Sequence, residues 1–195
     1  MKLLALILLL ASCTTLPTEA PKETPVEAVP VAEALLPDNW PKPEYRAASV
    51  KAIKDHGGAL LTFSPKDKAE WCWKSGESAV SFYNRLFSAI AKYESNYKPD
   101  TVYKESFKDR FGKNVLSVGI MQNSQESCGL VYKFPSTTES LKNPYNNLSC
   151  STKIALRWIP SDGVIAQDSK RGLARYYSTM RGNGKASQIK AMMCR

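Results

Sequence analysis

The sequence predicts a mainly α domain with a small β or loop insertion near residues 100–116. One observation is a helical period: residues 78–96 contain neither proline nor glycine, and their apolar side chains recur at helical spacing. Another is a second helix, which is expected to open at Asn147 and to run to residue 159. The insertion lies between these two helices and is expected to form a hairpin or a loop.

The chain of 195 residues opens with a segment typical of protein export. Lys2 precedes a short apolar run, residues 3–10, which is too short to span a bilayer. The run ends at LASC, residues 10–13, which resembles a bacterial lipobox. We therefore expect residues 1–12 to be a signal peptide and Cys13 to carry a lipid anchor. An ordinary signal peptide with an incidental cysteine is the alternative.

Residues 13–43 have the composition of a lipid-anchored tether. Prolines recur along this stretch among Thr, Glu, Ala and Val, and no apolar period persists. Such a segment is extended and semi-rigid rather than packed. Residues 44–195 remain, and they are long enough to bury a single hydrophobic core. We expect them to form the folded, catalytic domain.

The folded domain is strongly basic. The net charge of the whole chain is +9, and because residues 13–43 contribute −3 and Lys2 contributes +1, residues 44–195 carry +11. A basic domain favours an anionic partner. The chain has no nucleic-acid-binding motif, so nucleic acid is not expected, whereas the bacterial cell wall is anionic. A merely solvated basic surface is the alternative.

The cysteines fit an exported protein. If Cys13 takes the lipid, four cysteines remain in the domain, and an even set there predicts two disulfides with three possible pairings. We favour Cys128–Cys150, which closes a loop of middling length, and Cys72–Cys194, which ties back the C-terminus.

Several kinds of hydrolytic site do not fit the composition. His56 is the single histidine, whereas zinc hydrolases normally use two or more. A cysteine peptidase needs a free thiolate beside a histidine, and here the cysteines are expected to be paired. There is no nucleophile elbow, P-loop or dinucleotide-binding motif. We expect carboxylate chemistry without a cofactor or metal.

Glu94 continues the apolar face of the first predicted helix. Ser78 is the expected cap, Pro99 marks the stop, and Glu94 follows at i+11 on the face formed by Tyr83, Leu86, Phe87 and Ile90. Partial burial and the negative end of the helix dipole both raise the pKa of a carboxyl there. A glycosidase general acid needs such a site. A boundary glutamate that reaches solvent is the alternative.

Four motifs occur in an order shared with a known family. They are Glu94-Ser95, S-x-G-x-x-Q at 117–122, N-P-x-x-N at 143–147, and Ala-Arg-Tyr-Tyr at 174–177. This order resembles the soluble lytic transglycosylase and goose-type lysozyme superfamily over about residues 78–182. The resemblance implies a lysozyme-like helical domain, with the β or loop insertion beside the substrate cleft.

The resemblance also implies roles for single residues. Glu94 would be the general acid that protonates the glycosidic oxygen, and Ser95 would help to fix the backbone beside it. Gln122 would hydrogen-bond the sugar. Ser117 and Gly119 would shape the turn that lines the cleft, and a glycine there lets a sugar or a backbone segment approach closely.

Tyr176 would point its hydroxyl towards Glu94 from a helix that also carries Leu173 and Met180; plain core packing is the alternative. The sequence departs from the family pattern at three positions, Tyr177, Ser151 and Ala155. The gap before residue 117 is longer than in the family, and it contains Glu105 and Asp109. Either could be a second carboxylate that activates water in a lysozyme-type reaction, or only a salt-bridge partner.

The expected function is cleavage of peptidoglycan glycan strands at the MurNAc–GlcNAc bond, by a lytic transglycosylase or a lysozyme-type muramidase. A non-catalytic, membrane-tethered wall-binding protein and a glycosidase for modified or deacetylated glycan are the alternatives. We expect a monomer that contacts the membrane only through its N-terminal lipid. Its expected location is the periplasmic side of a bacterial membrane as an outer-membrane lipoprotein, with secretion as the alternative.

Overall fold

The computed structural model describes residues 37–134, 136–182 and 184–195. Its main helices are α1 (Pro43–His56), α2 (Ala79–Ser95), α3 (Pro144–Asp162) and α4 (Ala186–Met193). Its strands are β1 (Val102–Lys108), β2 (Asn114–Val118), β3 (Asn123–Ser124), β4 (Ala166–Gln167) and β5 (Arg171–Gly172). The predicted mainly α domain with a β insertion is confirmed.

The N-terminal predictions lie outside this structure. The signal peptide, Cys13 and the tether up to residue 36 are not among the described residues. Within the described ranges, none of the helices combines the length and the apolar character needed to cross a bilayer.

Helix α2 is the centre of the domain. The hydroxyl of Ser78 accepts a hydrogen bond from the backbone N–H of Ser81 at 3.1 Å, so the predicted cap is present. The helix ends at Ser95 because Asn96 adopts a left-handed conformation with φ of 53°. Residues 80–91 are all buried, since α1 and α4 pack against the helix from different sides. The helix is therefore buried almost all round, beyond the single apolar face that was predicted.

Helix α3 begins earlier than predicted. The side chain of Asn143 accepts a hydrogen bond from the backbone N–H of Asn146 at 3.2 Å, and Pro144 occupies the first turn, where its missing N–H has no consequence. The helix ends at Asp162, where Gly163 takes a φ of 75°. The predicted span of 147–159 lies inside it.

The insertion is an antiparallel hairpin. Strand β1 pairs with β2, which pairs in turn with the short β3, so β1 is an edge strand of this sheet. A shift in register between Lys104 and Lys108 bends the hairpin. Asp109 closes its turn, because one carboxylate oxygen accepts hydrogen bonds from the backbone N–H groups of Phe111 and Lys113, both at 2.8 Å.

The packed domain also includes the last residues assigned to the tether. The indole N–H of Trp40 donates to Asn84 on α2 at 2.9 Å, and the amide of Asn84 donates to Asp38 at 2.6 Å. Because these bonds attach residues 38–40 to the central helix, the folded domain extends upstream of residue 44.

Both favoured cysteine pairs are disulfides in the structure. Cys128–Cys150 joins the segment after β3 to α3, and Cys72–Cys194 joins the segment before α2 to the C-terminus. Beside the second disulfide, the buried guanidinium of Arg85 pairs with Glu77 at 2.7 Å and donates to the carbonyl of Cys72 at 2.9 Å. The ends of the described chain are thus tied to the central helix.

Asn147 links the start of α3 to the segment after β2. This fully buried side chain accepts from the backbone N–H of Met121 at 2.8 Å and donates to the carbonyls of Val118 and Leu141 at 2.8 and 2.9 Å. One amide therefore satisfies three backbone groups that are shielded from water.

We expect Asn147→Ala to lower the free energy of unfolding by at least about 3 kcal/mol, because three buried backbone groups lose their partner. Denaturant unfolding followed by circular dichroism measures this loss. The matched control is Asn146→Ala, which removes one hydrogen bond to Ser140 from a half-buried position and should lower the free energy by about 1 kcal/mol or less. Equal losses in both variants would contradict the role given to Asn147.

Candidate active site

A cavity of about 700 Å³ opens beside the last turn of α2. Glu94 enters it from α2, and Glu105 enters it from β1. The remaining wall comes from the hairpin, the segment around Gln122 and Ser124, and residues 175–178 with Arg181. These elements are far apart in the sequence, and the fold brings the carboxyl groups of Glu94 and Glu105 into one cleft.

Glu94 has an environment that favours its protonated form. Burial is the main cause that raises its pKa, and the negative charge of Glu105 raises it further, to about 7. The position in the last turn of α2 acts in the same direction through the helix dipole. A carboxyl group with this pKa holds a proton in a large fraction of molecules at neutral pH, as a general acid must.

Thr179 opposes part of this shift. Its hydroxyl donates a hydrogen bond to one carboxylate oxygen of Glu94 at 2.5 Å, which favours the ionised form and lowers the pKa. Sequence reasoning missed this residue, because no motif carries it and the contact joins positions 85 residues apart. The same hydrogen bond holds the carboxyl group in one orientation.

Glu105 and Asp109 have different surroundings. The hydroxyl of Ser117 on β2 donates to Glu105 at 2.5 Å, across the hairpin, and this bond fixes Glu105 in the cavity that holds Glu94. Asp109 is engaged in the hairpin turn and does not line that cavity. Of the two candidate second carboxylates, the structure brings only Glu105 together with Glu94.

Ser95 and Gly119 shape the backbone around Glu94. The hydroxyl of Ser95 donates to the carbonyl of Ile120 at 2.9 Å and accepts from the backbone N–H of Lys98 at 3.2 Å. Gly119 has a φ of +80°, and a Cβ at this position would lie 2.4 Å from the carbonyl oxygen of Leu141. Glycine is needed here because a neighbouring backbone approaches closely.

Gln122 lines the cleft with a restrained side chain. Its amide NH₂ donates to the carbonyls of Gly119 and Thr101 at 2.8 and 3.2 Å. An amide nitrogen has two donors, so these bonds occupy both and leave the amide oxygen as the acceptor for a ligand.

Tyr176 differs from its predicted setting. It lies between two short 3₁₀ turns, Leu173–Arg175 and Ser178–Met180, and not on a continuous helix. Its hydroxyl accepts a hydrogen bond from the backbone N–H of Ser124 at 2.9 Å, whereas the partner of Glu94 is Thr179. Tyr176 still lines the cavity, and the charge of Glu94 contributes to raising its pKa after the larger effect of burial.

Two of the departures from the family pattern are in contact with each other. The hydroxyl of buried Tyr177 lies 2.9 Å from the hydroxyl of Ser151 and 3.1 Å from the side-chain oxygen of Asn123. Asn123 in turn donates to Ser151 at 2.9 Å. Ser151 on α3 thus supplies a hydrogen-bond partner for the tyrosine hydroxyl.

Fold and site together define a class of protein. A helical domain of the lysozyme-like type carries a glutamate at the end of its central helix, in a cleft walled by a β-hairpin. Residues 71–159 match the transglycosylase SLT domain. Among solved structures, the chain is similar to DslA, both in its wild-type form and in two single glutamate-to-glutamine mutants.

The similarity to DslA extends over most of both chains. Each of these structures is 30% identical to the present chain with a TM-score of 0.70, over 78% of this chain and 91% of the DslA chain. No curated protein sequence matches it. The chain belongs to the SLT transglycosylase family, and the resemblance seen in its motifs is confirmed.

The burial of Glu94 predicts a pH-dependent stability. The folded carboxyl group keeps its proton up to about pH 7, whereas the unfolded one releases it near the ordinary value of 4.5. Between these values the folded state binds more protons, so the stability of the wild type should fall as pH rises. Relative to Glu94→Gln, which does not titrate, we expect a loss of about 3 kcal/mol between about pH 4 and about pH 9. Denaturant unfolding of both proteins across this range measures it, and parallel stability curves would refute the burial argument.

Thr179→Val should raise the pKa of Glu94 above that in the wild type, because the variant loses a hydrogen bond to the carboxylate. The measurement is a carbon NMR titration of the Glu94 carboxyl group, together with the pH profile of any cleavage activity. Thr179→Ser keeps the donor and is the matched control, which should leave both close to wild type. A purely structural role would lower the melting temperature of the valine variant and leave the titration unchanged.

Proposed function

We propose that this protein cleaves the glycan strands of peptidoglycan, with Glu94 as the general acid at the MurNAc–GlcNAc bond. The observation that carries the proposal is the position of Glu94: a carboxyl group with a pKa of about 7 lies in a cavity of about 700 Å³ in an SLT-family domain. Family membership implies peptidoglycan-cleaving activity, and the surroundings of Glu94 support this residue as its acid.

The first chemical step follows from this environment. The protonated carboxyl group of Glu94 donates its proton to the glycosidic oxygen while the bond from that oxygen to C1 breaks, and the leaving sugar departs as an alcohol. Positive charge develops on the remaining sugar ring. The carboxylate of Glu105, in the same cleft, is placed to stabilise this charge. The amide oxygen of Gln122 is an acceptor for a sugar hydroxyl.

The reaction can end in one of two ways. If the 6-hydroxyl of the muramoyl residue attacks C1, the carboxylate of Glu94 takes up the hydroxyl proton. The product is then a 1,6-anhydro sugar, and one carboxyl group suffices. If water attacks, a second carboxylate removes its proton and the product has a reducing end. Glu105 is our candidate for that carboxylate, and the two mutated glutamates of DslA are separated by eleven positions, as are Glu94 and Glu105.

The setting of the reaction is proposed from the rest of the chain. Two disulfides favour an oxidising compartment, such as the bacterial periplasm. The lipobox at Cys13 and the Pro-rich segment would anchor a monomeric domain to the outer membrane and hold it at the wall. The net positive charge of residues 44–195 favours binding to an anionic polymer.

We expect Glu94→Gln to lower the rate of wall digestion by about 10²- to 10⁴-fold, since the variant cannot donate the proton. Glu105→Gln should also slow digestion, whereas Asp109→Asn should remain close to wild type, because an asparagine oxygen can still accept the hydrogen bonds of the hairpin turn. The assay is digestion of purified sacculi, with mass analysis of the released fragments.

The products separate the remaining alternatives. A 1,6-anhydro mass identifies a transglycosylase, and a reducing-end mass identifies hydrolysis. Parallel digestion of acetylated and deacetylated sacculi reports whether modified glycan is preferred. If the wild type sediments with sacculi of both kinds but releases no soluble fragment, the protein is a wall-binding protein and the proposal is wrong. Full activity of Glu94→Gln would exclude Glu94 as the acid.

A further inference from the structure

Four of the six exposed large apolar side chains in the described ranges line cavities. Within the described ranges, the exposed large apolar side chains all lie between residues 102 and 131. Three are aromatic and belong to the hairpin: Tyr103, Phe107 and Phe111 are 60%, 58% and 66% exposed. Exposed apolar groups that gather in one region mark a binding surface. The roles given to Glu94 and Glu105 do not account for them.

Tyr103 and Phe107 flank Glu105 along β1. Alternate residues of a strand share one face, and these three side chains line the cavity that holds Glu94. Any strand of sugars that reaches Glu94 therefore lies against two aromatic rings.

A second cavity lies next to this one. It has a volume of about 620 Å³ and lies between Phe111, at the tip of the hairpin, and Leu130, in the segment after Cys128. The two cavities have wall residues in common, namely Val115, Ser124 and Glu126. They are thus adjacent, and the hairpin forms a wall of both.

We propose that Tyr103, Phe107 and Phe111 form an aromatic ledge that binds the pyranose rings of a glycan strand and guides the strand from the Glu94 cavity into the second cavity. The proposal rests on glycan cleavage as the proposed function. It adds a binding site for sugars at a distance from the bond that is broken. A long strand should therefore bind more tightly than a short one.

The chemistry of the two cavities favours sugars over other apolar ligands. The C–H face of a pyranose ring packs on an aromatic ring, while its hydroxyl groups need hydrogen-bond partners. The second cavity offers such partners next to Phe111 and Leu130, from the side chains of Asn114, Gln125, Glu126, Ser136 and Thr138. An acyl chain would remove water from these polar side chains and offer no hydrogen bond in its place.

The test measures binding with the catalytic acid removed. Peptide-free glycan strands, sorted into short and long fractions, are titrated calorimetrically into Glu94→Gln and into double variants on that background. Tyr103→Ala and Phe107→Ala should each weaken both fractions by about threefold to tenfold. Phe111→Ala should weaken the long fraction by a similar factor and leave the short one unchanged, because only a long strand reaches the second cavity.

Val131→Ala is the matched control. This side chain is 60% exposed in the same region but lines neither cavity, so its variant should bind both fractions like the parent. Unchanged affinity in the three aromatic variants, equal weakening in all four variants, or no binding by the parent would overturn the ledge. So would loss of binding to vesicles of anionic phospholipid with glycan binding intact, which would assign the aromatic residues to a membrane.

The proposed function is tested by the release of fragments and not by the affinities. Release of fragments by Glu94→Gln in the same samples would refute the acid role of Glu94. The pattern of affinities among the aromatic variants would still decide whether the ledge binds glycan.

Discussion

The three hydrogen bonds of Asn147 fix the geometry of the active site. Backbone groups buried away from water need partners, and this one amide supplies partners on both sides of the turn that follows β2 and on the segment before α3. Gly119 allows the close approach that these bonds require. Ser95, at the end of α2, holds the same turn from α2 through its hydrogen bond to the carbonyl of Ile120. Strand β2 runs directly into this turn and pairs with β1, which carries Glu105. The position of the turn therefore sets the position of Glu105 relative to Glu94.

The position of Glu94 lowers the stability of the fold when the carboxyl group is ionised, but it favours the proposed chemistry. Burial of a carboxyl group at the negative end of a helix destabilises the folded protein whenever the group is ionised. The same burial keeps the proton available near neutral pH, which the cleavage step needs. The hydroxyl of Thr179 moderates the pKa and orients the group. An ionised glutamate on the surface would not destabilise the fold in this way. Its pKa would be close to the ordinary value, so it would rarely hold a proton at neutral pH.

Local patterns predicted α2 and most of α3, whereas contacts between distant segments could not be predicted. The spacing of Tyr83, Phe87 and Ile90 identified α2 and placed Glu94 on the same face. Cysteine counting predicted two disulfides with three possible pairings, and the favoured pairing is present in the structure. The family resemblance implied a helix that carries Tyr176 together with Leu173 and Met180. The chain instead forms separate short turns there, which bring Thr179 to Glu94, and no local pattern reports such a contact.

The departures at Tyr177 and Ser151 permit a non-catalytic wall-binding protein, but their packing offers a structural reason for both. The buried hydroxyl of Tyr177 needs a hydrogen-bond partner, and Ser151 on α3 provides one. Asn123 joins the pair through its own side chain, so the network is closed among buried groups. These substitutions depend on each other as parts of the core. None of their hydrogen bonds involves Glu94, Thr179 or Glu105.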